Sequence, residues 1–285
     1  MLRLAEPHAG VLVNRVADEE KAGELRERAA RLPQLTLASR EAADLELIAT
    51  GAASPLTGFM GIRDYRSVLD RLRLADGTPW PVPFTLAVTI ADMALVLRHR
   101  AAALRDARGR LRAVIEATDA FVRDPREEAR ALYGTDDQAH RGVAHLLSRP
   151  TGTLGGRVTV FPSFESREAQ QPPPRDVRAT ARRQKWTGLR AIATIDGAGC
   201  LEPIGSTRPS LVPVPRVAVR QAPGRDAFLQ AIVLKNFGAR EVLFEYERAD
   251  WVAVSPDLAP EDLGIAPVWV VTTARERSAR NAFRH

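Results

Sequence analysis

At 285 residues the chain is long for one compact domain and suits two of ordinary size, with 45% hydrophobic and 27% charged residues excluding a disordered chain. No apolar run approaches the roughly 18 residues of a membrane span, and MLRLAEPHAG lacks the apolar stretch of a secretion signal, so a cytoplasmic location with no membrane partner is expected. The net charge of +6 comes from arginines interspersed with acids, Lys21, Lys185 and Lys235 being the lysines, which is the pattern of a solvated surface rather than of a nucleic-acid binder.

Asp18 to Leu32 (DEEKAGELRERAARL) predicts a short amphipathic helix, with acids in its first turn and arginines near its end to match the helix dipole. A second helical pattern runs from Asp44 to Thr50 and stops at Gly51. SPLTGFMG after it, with a proline and two glycines, reads as a shaped loop. Tyr65, Val68, Leu69 and Leu72 share one face of a third helix, Asp64 to Ala75, closed by the turn DGTPWP. From Phe84 the period changes. FTLAVTI, ALVLRH and LRAVIEATDAFV are β-branched or apolar runs divided by turn residues, and RVTVFP (Arg157 to Pro162) is another, so strands of a small mixed barrel or sheet are expected. Two short helices, PREEARALYG and HRGVAHLLSR, lie between them.

EAQQPPPR, from Glu168 to Arg175, is the linker candidate because consecutive prolines hold an extended backbone, and a domain boundary is placed between Phe161 and Pro174. Beyond it come a helix (RDVRATARRQKW), a strand (LRAIATI), a long irregular stretch, a strand (RVAVRQ), a helix (RDAFLQAIVLKNFG) and a strand (EVLFEY), with APVWVVTT as an edge strand. This alternation predicts a parallel α/β sheet. Cys200, the single cysteine, can form no internal disulfide or metal site by itself, and GAGCLEP brings no histidine near it, so a structural role is expected.

Several strings of the first domain stand in the wording and order of a known family: PHAGVLVNR at Pro7, SREAADLELIATGAASPLTGFMG at Ser39, DYRSVL at Asp64, LADGTPWPVPFTLAV at Leu74, YGTDDQAHRGVAHL at Tyr133 and GGRV at Gly155. On these the chain resembles ATP sulfurylase (sulfate adenylyltransferase). The resemblance implies an α+β architecture followed by α/β: a PUA-like, β-rich amino-terminal domain over residues 1–162, then a truncated nucleotidyltransferase-like, Rossmann-like parallel-sheet domain over residues 163–285. Within the first domain Gly51, Gly58 and Gly61 read as backbone geometry, and His140 and His145 as local capping groups.

Family members catalyse attack of sulfate on the α-phosphorus of ATP, with pyrophosphate leaving. The resemblance implies that the needed cationic and N–H donors come from a strand-to-helix element reading Gln-Thr-Arg-Asn-Pro-x-His-Arg-Ala-His-Glu. At that place this chain reads TIDGAGCLEPIG: Thr194 alone matches, Ile195 stands for the arginine, Asp196 and Gly197 for Asn-Pro, and Gly199 and Glu202 for the two histidines. Prolines at 203, 209, 213 and 215 and glycines at 197, 199 and 205 leave no room for a helix. Resemblance resumes at PGRDAFLQAIVLKNFG (Pro223 to Gly238), but the family's Gly-Arg-Asp-His-Ala-Gly loop is replaced by EYERAD, which retains only Ala249. PEDLGI, Pro260 to Ile265, is again similar to the family's closing region.

No catalytic residue, metal site or cofactor is expected on this reading. Thr194, Arg225 and Lys235 are the candidates for residual anion or nucleotide binding, Arg225 because it begins a helix at a family position; a surface arginine, or one holding the domain interface, is the plainer role for it. The first functional reading is a degenerate homologue acting as a regulatory, binding or assembly partner in sulfate activation, as a homo-oligomer or beside adenylyl-sulfate kinase or an active ATP sulfurylase. An active sulfate adenylyltransferase with a rebuilt site is the second, and an RNA-binding protein using its PUA-like domain is the third.

Overall fold

The protein is described by a computed structural model over residues 4–162, 171–194, 196–206, 211–245, 260–264 and 266–269. In the first half, α1 (Glu19–Ala29) starts where Asp18 accepts the Lys21 N–H, as its acidic first turn predicts. α2 (Ser39–Thr50) begins five residues earlier than its apolar period suggests, because the Glu41 carboxylate turns back to the Ala38 N–H at 2.9 Å. Gly51 ends it in the left-handed region, and a Cβ there would lie 2.2 Å from the Val13 carbonyl oxygen. α3 (Ile62–Arg71), α5 (Pro125–Tyr133) and α6 (Arg141–Ser148) follow the sequence pattern.

These helices surround a six-stranded sheet. β1 (Gln34–Thr36), β4 (Ala101–Arg105), β5 (Leu111–Val122), β6 (Gly152–Val160) and β2 (Gly58–Phe59) lie in that order, and β3 (Leu86–Val88) pairs with β6 beside β2. Only β1 and β4 run parallel. ALVLRH, expected as a strand, is instead the body of α4 (Ile90–His99). Its apolar run fits either period, and the start decides: the Thr89 hydroxyl accepts the Asp92 N–H, a helix cap that the run alone does not reveal.

The second half carries a five-stranded sheet in the order β11 (Ala266–Trp269), β10 (Glu241–Glu245), β7 (Gly188–Thr194), β8 (Gly199–Ile204), β9 (Val212–Val214). Strands β11, β10 and β7 are parallel, and α8 (Pro223–Phe237) lies on the crossover from β7 to β10. The expected parallel sheet is present and carries an antiparallel flank: the stretch read as irregular folds into the antiparallel strands β8 and β9. Its prolines block a helix without blocking this arrangement. Pro213 sits on the edge strand β9, and Pro203 lies past the point where β9 pairs with β8, so neither needs to donate to a neighbour. RVAVRQ, expected as a strand, has no regular structure; its residues cover the turn after β7 and lead into α8.

α7 (Pro174–Arg183) packs on α8, and α8 packs on β7, β8 and β10. One apolar core runs through both halves, from Leu45, Ile48, Trp80 and Phe84 to Phe228, Ile232, Phe237 and Phe244. The halves are also joined by buried polar contacts. Asn236 of α8 is fully buried; its Nδ2 donates to the Ala52 and Ser54 carbonyls at 2.9 and 3.1 Å and its Oδ1 accepts the His8 N–H at 2.8 Å.

Candidate functional site

In parallel sheets, ligands gather at the carboxyl ends of the strands, and the end of β7 is where the sequence leads. The chain there makes a tight turn. The Thr194 N–H donates to the Ala198 carbonyl and the Gly197 N–H donates to the Thr194 carbonyl, both at 3.0 Å. The Thr194 hydroxyl lies 2.5 Å from Asp196 Oδ1 and 3.0 Å from the Ala198 oxygen. The Thr194 carbonyl also accepts from Gln230 Nε2 of α8 at 3.0 Å. Gly197, at φ 84°, admits no side chain, since a Cβ would stand 2.0 Å from the Val217 carbonyl oxygen. Residues 215–217 thus fold over the strand end.

Asp196 puts a carboxylate at this tip. The hydrogen bond from Thr194, the Ala198 N–H and the nearby Arg216 guanidinium, 3.1 Å away, hold its carboxyl below the ordinary range against the opposing effect of burial. The shallow concavity between Gly197, Val217, Gln230 and Leu234 measures about 10 Å³. Gln230 Oε1 is buried here without a hydrogen-bond partner.

The secondary structure also separates positions that a helix would bring together. Residues three apart share a face of a helix but point to opposite faces of a strand. Gly199 and Glu202 lie on strand β8, where Glu202 pairs with Arg190 at 3.6 Å and Gly199 backs onto Val214. Ile195 and EYERAD from Tyr246 to Asp250 lie outside the described residues.

The three residues singled out by the sequence are dispersed. Thr194 is in the turn described above. Arg225, in the first turn of α8, donates from Nη1 to the Pro81 carbonyl at 3.0 Å and from Nη2 to the Ala131 carbonyl at 2.5 Å, and burial pulls its guanidinium down to about 10. Lys235 is half-buried in the last turn of α8, about 15 Å along the helix from Arg225 at the usual rise per residue. Burial, with the charge of Arg178, lowers its ammonium. His140 caps α6 through Nδ1, which accepts the Val143 N–H, and stacks on Tyr133 at 4.7 Å.

The family described as "PUA-like domain" matches residues 5–163. A "Sulfate adenylyltransferase" of Synechococcus sp. (strain JA-3-3Ab) is 32% identical across 92% of this chain and 80% of its own length, and one of Symbiobacterium thermophilum is 34% identical over the same shares. The chain belongs to the sulfate adenylyltransferase family. Among other relatives, the enzyme of that name from Deinococcus radiodurans is 40% identical over 193 residues, 67% of this chain and 49% of the relative. The matches to the first two run over 321 and 315 positions, more than the 285 residues present, so those family members carry segments opposite which this chain has none. A solved structure, "Hexameric APS kinase from Thiobacillus denitrificans", shares the fold with a TM-score of 0.62 at 24% identity, over 94% of this chain and 57% of that one. The architecture is the expected one: an α+β, PUA-like domain followed by an α/β, nucleotidyltransferase-like sheet.

A second concavity, of about 670 Å³, lies at the opposite end of the second sheet, between residues 4–12 and the helix α7. Sequence reading passed over it, although arginines at 175, 178 and 182 fall on one helical face.

Proposed function

We propose that this chain acts in sulfate activation as a binding or assembly partner and does not itself make adenylyl sulfate. The end of β7 carries this reading. Bringing sulfate and ATP together requires cationic and N–H donors aimed at the transferring phosphoryl group, which a helix starting at the strand end would supply. Here the strand turns into β8 and the turn holds the Asp196 carboxylate. The start of α8 offers no replacement. Its Asp226 carboxylate already accepts the Arg220 and Ala222 N–H groups at 2.8 and 3.0 Å, and Arg225 is engaged with the first domain.

Partners that suit the role are a second copy of the chain, an adenylyl-sulfate kinase or an active family member, in the cytoplasm and without a resident cofactor. The shared fold with a chain described as a hexameric APS kinase supports assembly as the mode of action. The test is the reverse reaction: purified full-length protein given adenylyl sulfate, pyrophosphate and magnesium, with ATP detected by luciferase. ATP formation at the no-protein rate is expected. Sustained turnover above that rate would replace this reading with a rebuilt catalytic site.

A further inference from the structure

The cleft beside α7 has the composition of a ligand site. Arg175, Arg178 and Arg182 line it from the helix, Arg240 lines it from the segment before β10, and among the described residues Glu6 is its one carboxylate. Stacking like charges along one helical face costs stability, and such a face is ordinarily relieved by interleaved acids. Among the described residues, Arg182 and Arg240 have no hydrogen-bonded or ion-paired side-chain partner, and Arg175 meets only its chain neighbour Asp176, 3.5 Å away and exposed.

Arg178 supplies the fixed element. Only 5% exposed, it donates from Nε to the Asn236 carbonyl at 2.7 Å and from Nη2 to the carbonyls of Ala5 and Lys235 at 2.7 and 2.9 Å. These three bonds lock the guanidinium plane and leave Nη1 without a protein partner among the described residues. A buried cation held by carbonyls, at the wall of a cleft, is pre-organised for an anion and carries little ordering cost on binding.

We propose that this cleft binds a compact polyanion carrying two or more phosphate or sulfate groups. Guanidinium forks pair bidentately with such oxygens, and four of them against one carboxylate favour a ligand of several charges over a single monoanion. The volume is that of a small-molecule site. Among the described residues no aromatic side chain lines it, so they offer no stacking platform of the kind a single-stranded nucleic-acid groove uses. The location is separate from the end of β7. Arg240 donates its N–H to the Leu189 carbonyl near the start of that strand, and Thr194 is about 17 Å further along at the usual strand rise.

Calorimetric titration of the full chain with inorganic pyrophosphate, inorganic sulfate and a single-stranded oligonucleotide tests this. Saturable pyrophosphate binding, tighter than sulfate, is expected, weakened at least about tenfold in the Arg182→Ala/Arg240→Ala variant. Both side chains are exposed and unpaired, so the variant should melt with the wild type; if it does not, Arg182→Gln alone serves in its place. Because pyrophosphate is also a reactant of the family's reaction, the variant separates the two locations. Binding unchanged by the substitution, or absent from the wild type, would overturn the cleft as a site, whatever the ATP-forming assay returns. Displacement of pyrophosphate by the oligonucleotide at physiological salt would overturn the small-molecule class.

Discussion

Arg220 and Asp44 meet at 2.5 Å across the two halves of the molecule, 176 residues apart in the chain and each only 3% exposed. The guanidinium also lies over the Phe84 ring at 4.9 Å and donates from Nη1 to the Ala218 carbonyl. Removing one member of such a pair leaves the other charged and buried. Arg220→Ala is therefore expected to destabilise the protein by about 3–5 kcal/mol, and the Asp44→Leu/Arg220→Met double variant by less than Arg220→Ala alone, because no charge is then stranded. Urea unfolding of the single and double variants measures the difference. Equal or greater loss in the double variant would show that packing, not charge, dominates this contact.

Acid should weaken the fold through His8. Its Nε2 donates to the Pro79 carbonyl at 2.8 Å, Nδ1 is buried without a partner, and burial pushes the imidazole from 6.5 down to about 4. The folded protein then holds His8 neutral where the unfolded chain binds a proton. Stability from this residue is fully present above pH 6.5 and declines as pH falls toward 4, by about 3 kcal/mol in total. His8→Gln removes the titration, so the wild type and variant should have unfolding free energies that converge as pH drops from 7 to 4. Parallel curves would mean that His8 does not titrate in this range.

For Arg225, the two carbonyl contacts place it as a tie between α8 and the first half. Arg225→Ala should lower stability by about 2–4 kcal/mol, the usual scale for lost hydrogen bonds to a charged group. Pyrophosphate titration should be unchanged. A variant that melts normally but loses anion binding would instead make Arg225 a ligand-contacting residue.

Residues 1–162 contain a whole sheet and its helices, and this fragment is expected to unfold cooperatively. It should nevertheless melt below the full chain. Asp44 loses Arg220, and the Ala52 and Ser54 carbonyls and the His8 N–H lose Asn236. Calorimetry of the fragment checks both statements; a molten fragment would show that the second half completes its core.

What the sequence determined by itself was local or carried by long strings. Caps and apolar spacing are short-range, so α1 was legible from the acids that open DEEKAGELRERAARL, α3 from Tyr65, Val68 and Leu69 on one face, and α5 from the Gly134 that ends it. The ordered strings of the first domain identified its family, and the prolines after Thr194 excluded a helix there. Tertiary structure alone decided what those prolines allow, because pairing β8 with β7 and β9 depends on partners distant in the chain. It likewise decided which arginines are engaged. Sequence set Arg225 apart as an anion-binding candidate and nothing set apart Arg220 or Arg178, yet Arg225 holds two carbonyls of the first domain, Arg220 faces Asp44, and Arg178 lines a cleft. A charge is encoded where its residue stands, whereas its partner and its exposure to water are set only when the two halves close on each other.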